Sequence, residues 1–151
     1  KYLDRDSPGY MGRAKVAQEF SAVTAACLLV DKSLYLQVGG LTEELQVAFN
    51  DVDLCLKFLA HGYKNVWTPF AELTHHESLS RGTDTTKEQV LRAAREVIYM
   101  RKQWMPLLDN DPSYNRHLTK NHEDFSLAWP PRKAQIALSR KLRKGQASKS
   151  S

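Results

Sequence analysis

The sequence predicts an α/β layered fold. Three observations carry that expectation. Positions 20–30 are rich in small, β-branched and aliphatic residues, as a buried strand would be. Positions 51–61 place Val52, Cys55, Leu56 and Leu59 at helical spacing, widened by Leu54 and Phe58. Positions 86–107 form a long run rich in Arg, Ala, Glu and Leu, which are good helix formers. The predicted order is strand, helix, helix, strand, strand, helix. With 151 residues the chain can bury a real core. It is short for a complete doubly wound enzyme of about 200–250 residues.

Each element has a local reason. Positions 1–18 hold Pro8, Gly9 and Gly12 and read as a loop entering the domain. After the strand at 20–30, Asp31 can cap a short helix that runs to Val38 and is stopped by Gly39-Gly40. A loop carrying Glu43 and Glu44 follows. Asn50 is placed to cap the helix at 51–61, and Gly62 suits the position after its end. Positions 65–68 and 71–76 predict two short strands separated by Pro69. Positions 77–85 read as a polar loop. Positions 109–131 contain Pro112, Pro130 and Pro131 and predict irregular structure. Positions 132–151 read as a basic tail, helical up to Gly145 and disordered beyond it.

Composition and charge narrow the function classes. Hydrophobic residues make up 42% and charged residues 26%, a globular balance that excludes disorder along the whole chain and fibrous repeats. No run approaches the roughly 20 apolar residues of a membrane span. The chain opens on Lys1 in loop-like sequence without a signal peptide, the expectation for a piece of a longer protein. Cys27 and Cys55 sit in apolar segments without metal-binding spacing and are expected as buried free thiols in a reducing compartment. The formal net charge is +5, yet seven basic residues and no acidic ones lie in 132–151, leaving 15 basic against 17 acidic residues over 1–131. A nucleic-acid-binding surface would need basic residues on the folded body, interleaved with aromatics. The body is slightly acidic instead.

Four groups of residues could carry chemistry. Asp51 and Asp53 fall in the first turn of the predicted helix, where the dipole and free N–H groups favour an ionised carboxylate. Such an Asp could serve as a general base, or both could simply complement the dipole. His75, His76 and Glu77 suggest a metal ligand. Adjacent strand side chains point to opposite faces, so one histidine at most would face a given ion, and a solvated strand end is the alternative. Ser78, Ser80, Arg81 and Gly82 could fold over a phosphate, with Arg81 bidentate, or form an ordinary polar loop. Trp67 could stack on a sugar ring, but filling the core is the favoured reading. A metal hydrolase using Asp51, Asp53, His75 and His76 would need all four to converge on one ion.

Taken in order, the segments resemble one family. They are Ser21 through Val30, Val38-Gly39-Gly40-Leu41-Thr42-Glu43-Glu44, Asn50-Asp51-Val52-Asp53, Gly62-Tyr63, Thr68-Pro69-Phe70-Ala71-Glu72-Leu73 and His75-His76-Glu77-Ser78-Leu79-Ser80-Arg81-Gly82. The set resembles the C-terminal half of bacterial family 2 glycosyltransferases, rhamnosyltransferase-like enzymes of surface-polysaccharide assembly. Asp111-Pro112-Ser113-Tyr114-Asn115 and Glu123-Asp124-Phe125-Ser126-Leu127 look like the extension that follows that domain. The likeness covers about positions 8–131.

The resemblance implies a partial GT-A fold: the acceptor-side half at 19–108, an irregular, partly helical extension at 109–131 and the basic tail at 132–151. It implies inverting transfer of a sugar from a nucleotide-sugar donor to a saccharide or lipid-linked saccharide acceptor, as in O-antigen-like synthesis. Asp51 falls on the family's base and Asp53 on its accompanying acidic residue, more orienting than catalytic. His75 falls on a histidine that helps hold the divalent metal or the donor diphosphate. Ala25, His76, Ser80 and Arg81 fall on the donor and diphosphate side. Two departures stand out: Ala25 replaces a customary Gly beneath the donor sugar, and Asn50 replaces the Glu that usually precedes the base. The family's metal motif and nucleotide-binding strands belong to an N-terminal half outside these residues. Most ligands of the expected Mg²⁺ or Mn²⁺ ion would therefore come from there, and the 151 residues alone are expected not to turn over. The implied setting is the cytoplasm, at the inner face of the membrane through the basic tail. A second copy of the chain is a further expected partner, and nucleic acid is not one.

Overall fold

The computed structural model describes residues 4–74 and 86–130. Its elements are mixed helix and small sheet, compatible with the α/β class. In order they are β1 (Gln18–Phe20), α1 (Lys32–Gln37), α2 (Asn50–Ala60), β2 (Asn65–Trp67) and α3 (Lys87–Asp109), with a kinked 3₁₀ segment at Tyr10–Lys15, interrupted at Met11 and Gly12, and a single 3₁₀ turn at Ala25–Cys27. Two compact units divide the chain, one ending at Gln103 and one beginning at Trp104.

In the first unit, β1 and β2 pair antiparallel with Gln18 opposite Trp67 and Phe20 opposite Asn65. Phe20 meets Trp67 edge to face at 6.2 Å between centroids, a pairing that rewards this register beyond area alone. The Arg13 guanidinium lies over the Phe20 ring, 4.9 Å from its centroid.

The predicted strand at 20–30 ends instead at Phe20. Beyond it the backbone bonds to side chains rather than to a neighbouring strand. The Thr24 hydroxyl accepts the Ala26 N–H at 3.2 Å, Asp51 accepts the Ala25 N–H, and the Cys55 thiol donates to the Val23 carbonyl at 3.7 Å. These bonds curl Ala25–Cys27 into a single turn, leaving Cys27 exposed rather than buried.

The short helix α1 follows its sequence signals closely. Asp31 caps it, accepting the N–H groups of Ser33 at 2.7 Å and Leu34 at 3.3 Å, and the Ser33 hydroxyl as well. Gly39-Gly40 then reverses the chain. Gly40 has φ 60°, and a Cβ there would lie 3.0 Å from the Tyr35 ring, so only glycine fits without a shift. The core of this unit is small: Val38, Leu54 and Phe58, flanked by Leu28, Val30, Leu34, Tyr35 and Tyr63.

Two further expectations are corrected. Asn50 does not cap α2. The cap is Phe49, in a left-handed conformation at φ 64° without a side-chain bond, and Asn50 is already inside the helix. No strand forms at 71–74. Pro69 has no N–H to give a ladder, and the Phe70 N–H turns back to the Thr68 hydroxyl at 3.3 Å. The rest of that predicted strand, the polar loop at 77–85 and the tail at 132–151 lie outside the described residues.

α3 begins with a capping box. The Thr86 hydroxyl accepts the Gln89 N–H at 3.2 Å, and the Gln89 side chain accepts the Thr86 N–H at 2.9 Å. In the second unit, Lys120 donates to the Leu108 and Asp109 carbonyls at 2.8 and 2.7 Å, satisfying orphaned groups at the end of that helix. Tyr114 and Phe125 pack at 6.1 Å, and a single bridge joins Leu118 to Leu127. The region is irregular, as its prolines predict. No helix among the described residues is long and apolar enough to cross a membrane.

Candidate active site

The start of α2 carries the two sequence-predicted carboxylates, and the structure gives them different surroundings. Asp51 is half-buried. Its Oδ1 accepts the N–H of Val52 at 2.8 Å, and its Oδ2 accepts the N–H of Ala25 at 3.1 Å. The side chain is thus held by its own helix on one oxygen and by the Ala25–Cys27 turn on the other. Thr24, Ala25 and Ala26 are exposed, so this carboxylate borders an open surface.

Asp53 faces the opposite way, into the interior, and its side chain has no exposure. Its Oδ2 accepts the Thr42 hydroxyl at 2.7 Å and lies 3.1 Å from the Lys57 ammonium. Lys57 also donates to the Thr42 hydroxyl at 2.6 Å and to the Gly40 carbonyl at 2.9 Å. This network ties the segment after Gly39-Gly40 to α2. A carboxylate so deeply enclosed needs this pairing to be tolerated. It also takes Asp53 out of the four-ligand set that a metal hydrolase would require.

Asn65 was not singled out in the sequence, yet it locks the site from beneath. Its side-chain amide donates to the Ser21 carbonyl at 3.2 Å and the Cys55 carbonyl at 3.0 Å, joining β2, α2 and the chain leaving β1. Burial pushes the Cys55 thiol up from its ordinary value; the bond to Val23 pulls against that, and the nearby Asp51 charge adds to the rise.

Glu96 was missed altogether. It is 1% exposed on α3, and its two oxygens accept the N–H groups of Val47 at 3.1 Å and Ala48 at 3.0 Å. A signal did exist. Glu96 lies four residues before the buried Met100 and four after half-buried Arg92, a stripe of helical spacing. The apolar pattern of the helix masks that stripe, because Val90, Leu91 and Ile98 are exposed.

Trp67 is half-buried: it packs on Phe20 and also lines a cleft of about 750 Å³ with Arg5, Lys15 and Phe70. Asp51 is not among the residues lining that cleft. His75, His76, Ser80 and Arg81 lie outside the described residues. Among the described residues, no three His, Cys, Asp or Glu side chains come together to hold a metal ion.

Segments of known proteins share this sequence. The chain is 53% identical over 123 residues to the uncharacterized protein y4gI of Sinorhizobium fredii, covering 81% of the chain and 14% of that protein. It is 32% identical over 120 residues to the O-antigen biosynthesis protein RfbC of Myxococcus xanthus, covering 80% of the chain and 9% of that protein. It is 39% identical over 62 residues to the N-acetylglucosaminyl-diphospho-decaprenol L-rhamnosyltransferase of Mycobacterium tuberculosis, covering 41% of the chain and 20% of that enzyme. The chain therefore spans a fifth or less of the length of these relatives. No protein-family model matches it, and no solved structure does. The named relatives support a glycosyltransferase-like family.

Proposed function

We propose that the protein carrying this chain is an inverting glycosyltransferase of GT-A fold, and that the chain forms its acceptor-side half. Asp51 is the base. It takes the proton of an acceptor hydroxyl as that oxygen attacks the anomeric carbon of a nucleotide-sugar. The new carbon–oxygen bond forms on the face opposite the diphosphate. The bond to the diphosphate oxygen breaks, and the nucleoside diphosphate leaves with its electron pair, so the configuration inverts. General-base assistance of this kind contributes about 10²–10⁴ in rate.

The observation that carries this reading is the setting of Asp51. Its two oxygens each accept a backbone N–H, from Val52 and from Ala25, beside an exposed turn. A carboxylate offers about four acceptor positions, so a substrate hydroxyl still has room to bind. Bonds from two separate segments hold the group in place before substrate arrives, which saves reorganisation during reaction. Asp53, enclosed by Thr42 and Lys57, acts in this scheme by holding α2 in place.

The rest of the proposal follows from the sequence resemblance and from the relatives' names. The donor is a nucleotide-sugar and the acceptor a saccharide or lipid-linked saccharide, in synthesis of a surface polysaccharide. Ala25, His76, Ser80 and Arg81 contact the donor, with the Arg81 guanidinium suited to a bidentate hold on the diphosphate. His75 would serve a divalent cation, most of whose other ligands the family's N-terminal half would supply. The basic tail draws the cytoplasmic protein to anionic lipid, where lipid-linked acceptors are built.

The test supplies the whole protein with nucleotide-activated L-rhamnose and other nucleotide-sugars, and with a lipid-linked N-acetylglucosaminyl diphosphate. The expected product carries the sugar in inverted anomeric configuration, read by NMR. Transfer with retention, or no transfer from any donor, contradicts the proposal.

A further inference from the structure

The loop from Leu41 to Phe49 delivers the chain to Asp51, and it is anchored at three places. Thr42 is held by Asp53 and Lys57. Leu45 is 2% exposed. Val47 and Ala48 give successive backbone N–H groups to the two oxygens of Glu96, one each. Glu96 is on α3, nearly fifty positions further along the chain, and Arg92 one turn earlier places its Nε 3.7 Å from the same carboxylate.

The third anchor sits next to an unusual backbone. Phe49 follows Ala48 directly and has φ 64°, a conformation that bulky side chains rarely adopt. Its carbonyl accepts the Asp53 N–H at 2.8 Å and so opens α2. A backbone of this kind persists only where its surroundings fix it on both sides. Here the fixed sides are the Glu96 clamp before Phe49 and the first turn of α2 after it. Asp51 is two residues beyond Phe49, so the direction of its side chain depends on how that reversal is held.

We infer that Glu96 is a positioning residue for Asp51: by gripping the Val47 and Ala48 amides it sets the left-handed turn at Phe49 and thereby the placement of the Asp51 carboxylate. This rests on Asp51 being the base. Glu96 touches no substrate in this scheme. Its effect belongs to the geometry of proton transfer, where a displacement near 1 Å can cost about 10²-fold in rate.

The test is a double-mutant cycle in the whole protein, joined to amide hydrogen exchange. Glu96→Gln keeps the side-chain size and removes one of the two acceptors; Glu96→Asp shortens the reach to both amides. With nucleotide-activated L-rhamnose and a lipid-linked N-acetylglucosaminyl diphosphate, each is expected to lower kcat by about 10–10²-fold while donor KM stays the same. In an Asp51→Asn background the same substitutions are expected to cost almost nothing further, because the group they position is gone. Losses that multiply in full overturn the inference while leaving the base assignment intact. A near-normal Asp51→Asn enzyme overturns the base assignment itself. The exchange measurement needs no turnover. Glu96→Gln is expected to speed exchange at Ala25, whose amide bonds to Asp51, as well as at Val47 and Ala48, with Leu56 and Phe58 unchanged. Faster exchange at Val47 and Ala48 alone, with Ala25 unmoved, shows a clamp that does not reach Asp51 and overturns the inference.

Discussion

The Oδ2 oxygen of Asp51 accepts the backbone N–H of Ala25 at 3.1 Å, across 26 positions of chain. This bond joins the first turn of α2 to the exposed turn at Ala25–Cys27. Two residues later, Asp53 is withdrawn from solvent and paired with Lys57. One helical turn thus presents one carboxylate to the surface and buries the other.

Asp53→Ala is expected to destabilise the fold by about 3–5 kcal/mol, the usual cost of removing one member of a buried pair. It leaves the Lys57 ammonium, on a side chain 18% exposed, without its carboxylate. Thr42→Val removes only the hydroxyl, with an expected cost of about 1–3 kcal/mol. Urea unfolding checks both, through the midpoint at constant m-value. An Asp53→Ala midpoint indistinguishable from wild type contradicts the structural role.

The cap of α1 makes a pH-dependent contribution. The Ser33 hydroxyl beside Asp31, and then the Leu34 and Ser33 amides, hold its carboxyl below the usual range. A carboxyl lowered in the folded state adds stability above its ordinary value near pH 4, and that contribution fades as the pH falls further. Asn caps about as well but does not titrate. Asp31→Asn is therefore expected to match wild type closely at neutral pH and to gain on it as the pH falls below about 4, because only the wild-type cap loses its charge. A wild-type minus variant difference that stays constant from pH 7 to 3 contradicts this.

The two thiols are expected to react very differently. Cys27 is exposed and Cys55 buried, with its ionisation pushed up by that burial. At pH 8 a thiol-specific chromogenic reagent is expected to modify Cys27 rapidly and Cys55 only on unfolding. Since the unfolded Cys55 thiol ionises first, its contribution to stability falls as the pH rises past the ordinary thiol value near 8.5. Equal labelling rates at the two positions contradict this packing.

Much of the helical framework was legible because its signals are local. Asp31 caps α1, Gly39-Gly40 ends it, and Gly62 closes α2 at φ 85°. The predicted strand at 20–30 was not legible. Its apolar residues look like a core strand, but bonds from Asp51 and Cys55 on a distant helix draw the backbone into a turn. The cap of α2 failed for a related reason. Asn50 is a good capping residue in isolation, whereas the chain enters the helix from a loop clamped by Glu96 and reverses at Phe49. Asp51 and Asp53 were visible as a pair of first-turn carboxylates, but spacing alone does not show which one faces the interior. That depended on Thr42, which meets Asp53 only in three dimensions; Lys57, one turn further along α2, completes the pairing.

The most direct measurement is the turnover number of Asp51→Asn in the whole protein, at saturating nucleotide-sugar and acceptor. Asn keeps the size of the side chain and can still accept the Ala25 N–H, but it cannot take a proton from the acceptor hydroxyl. The expected result is a kcat reduced by about 10²–10⁴-fold with little change in donor KM. Transfer at a near-normal rate would contradict Asp51 as the base.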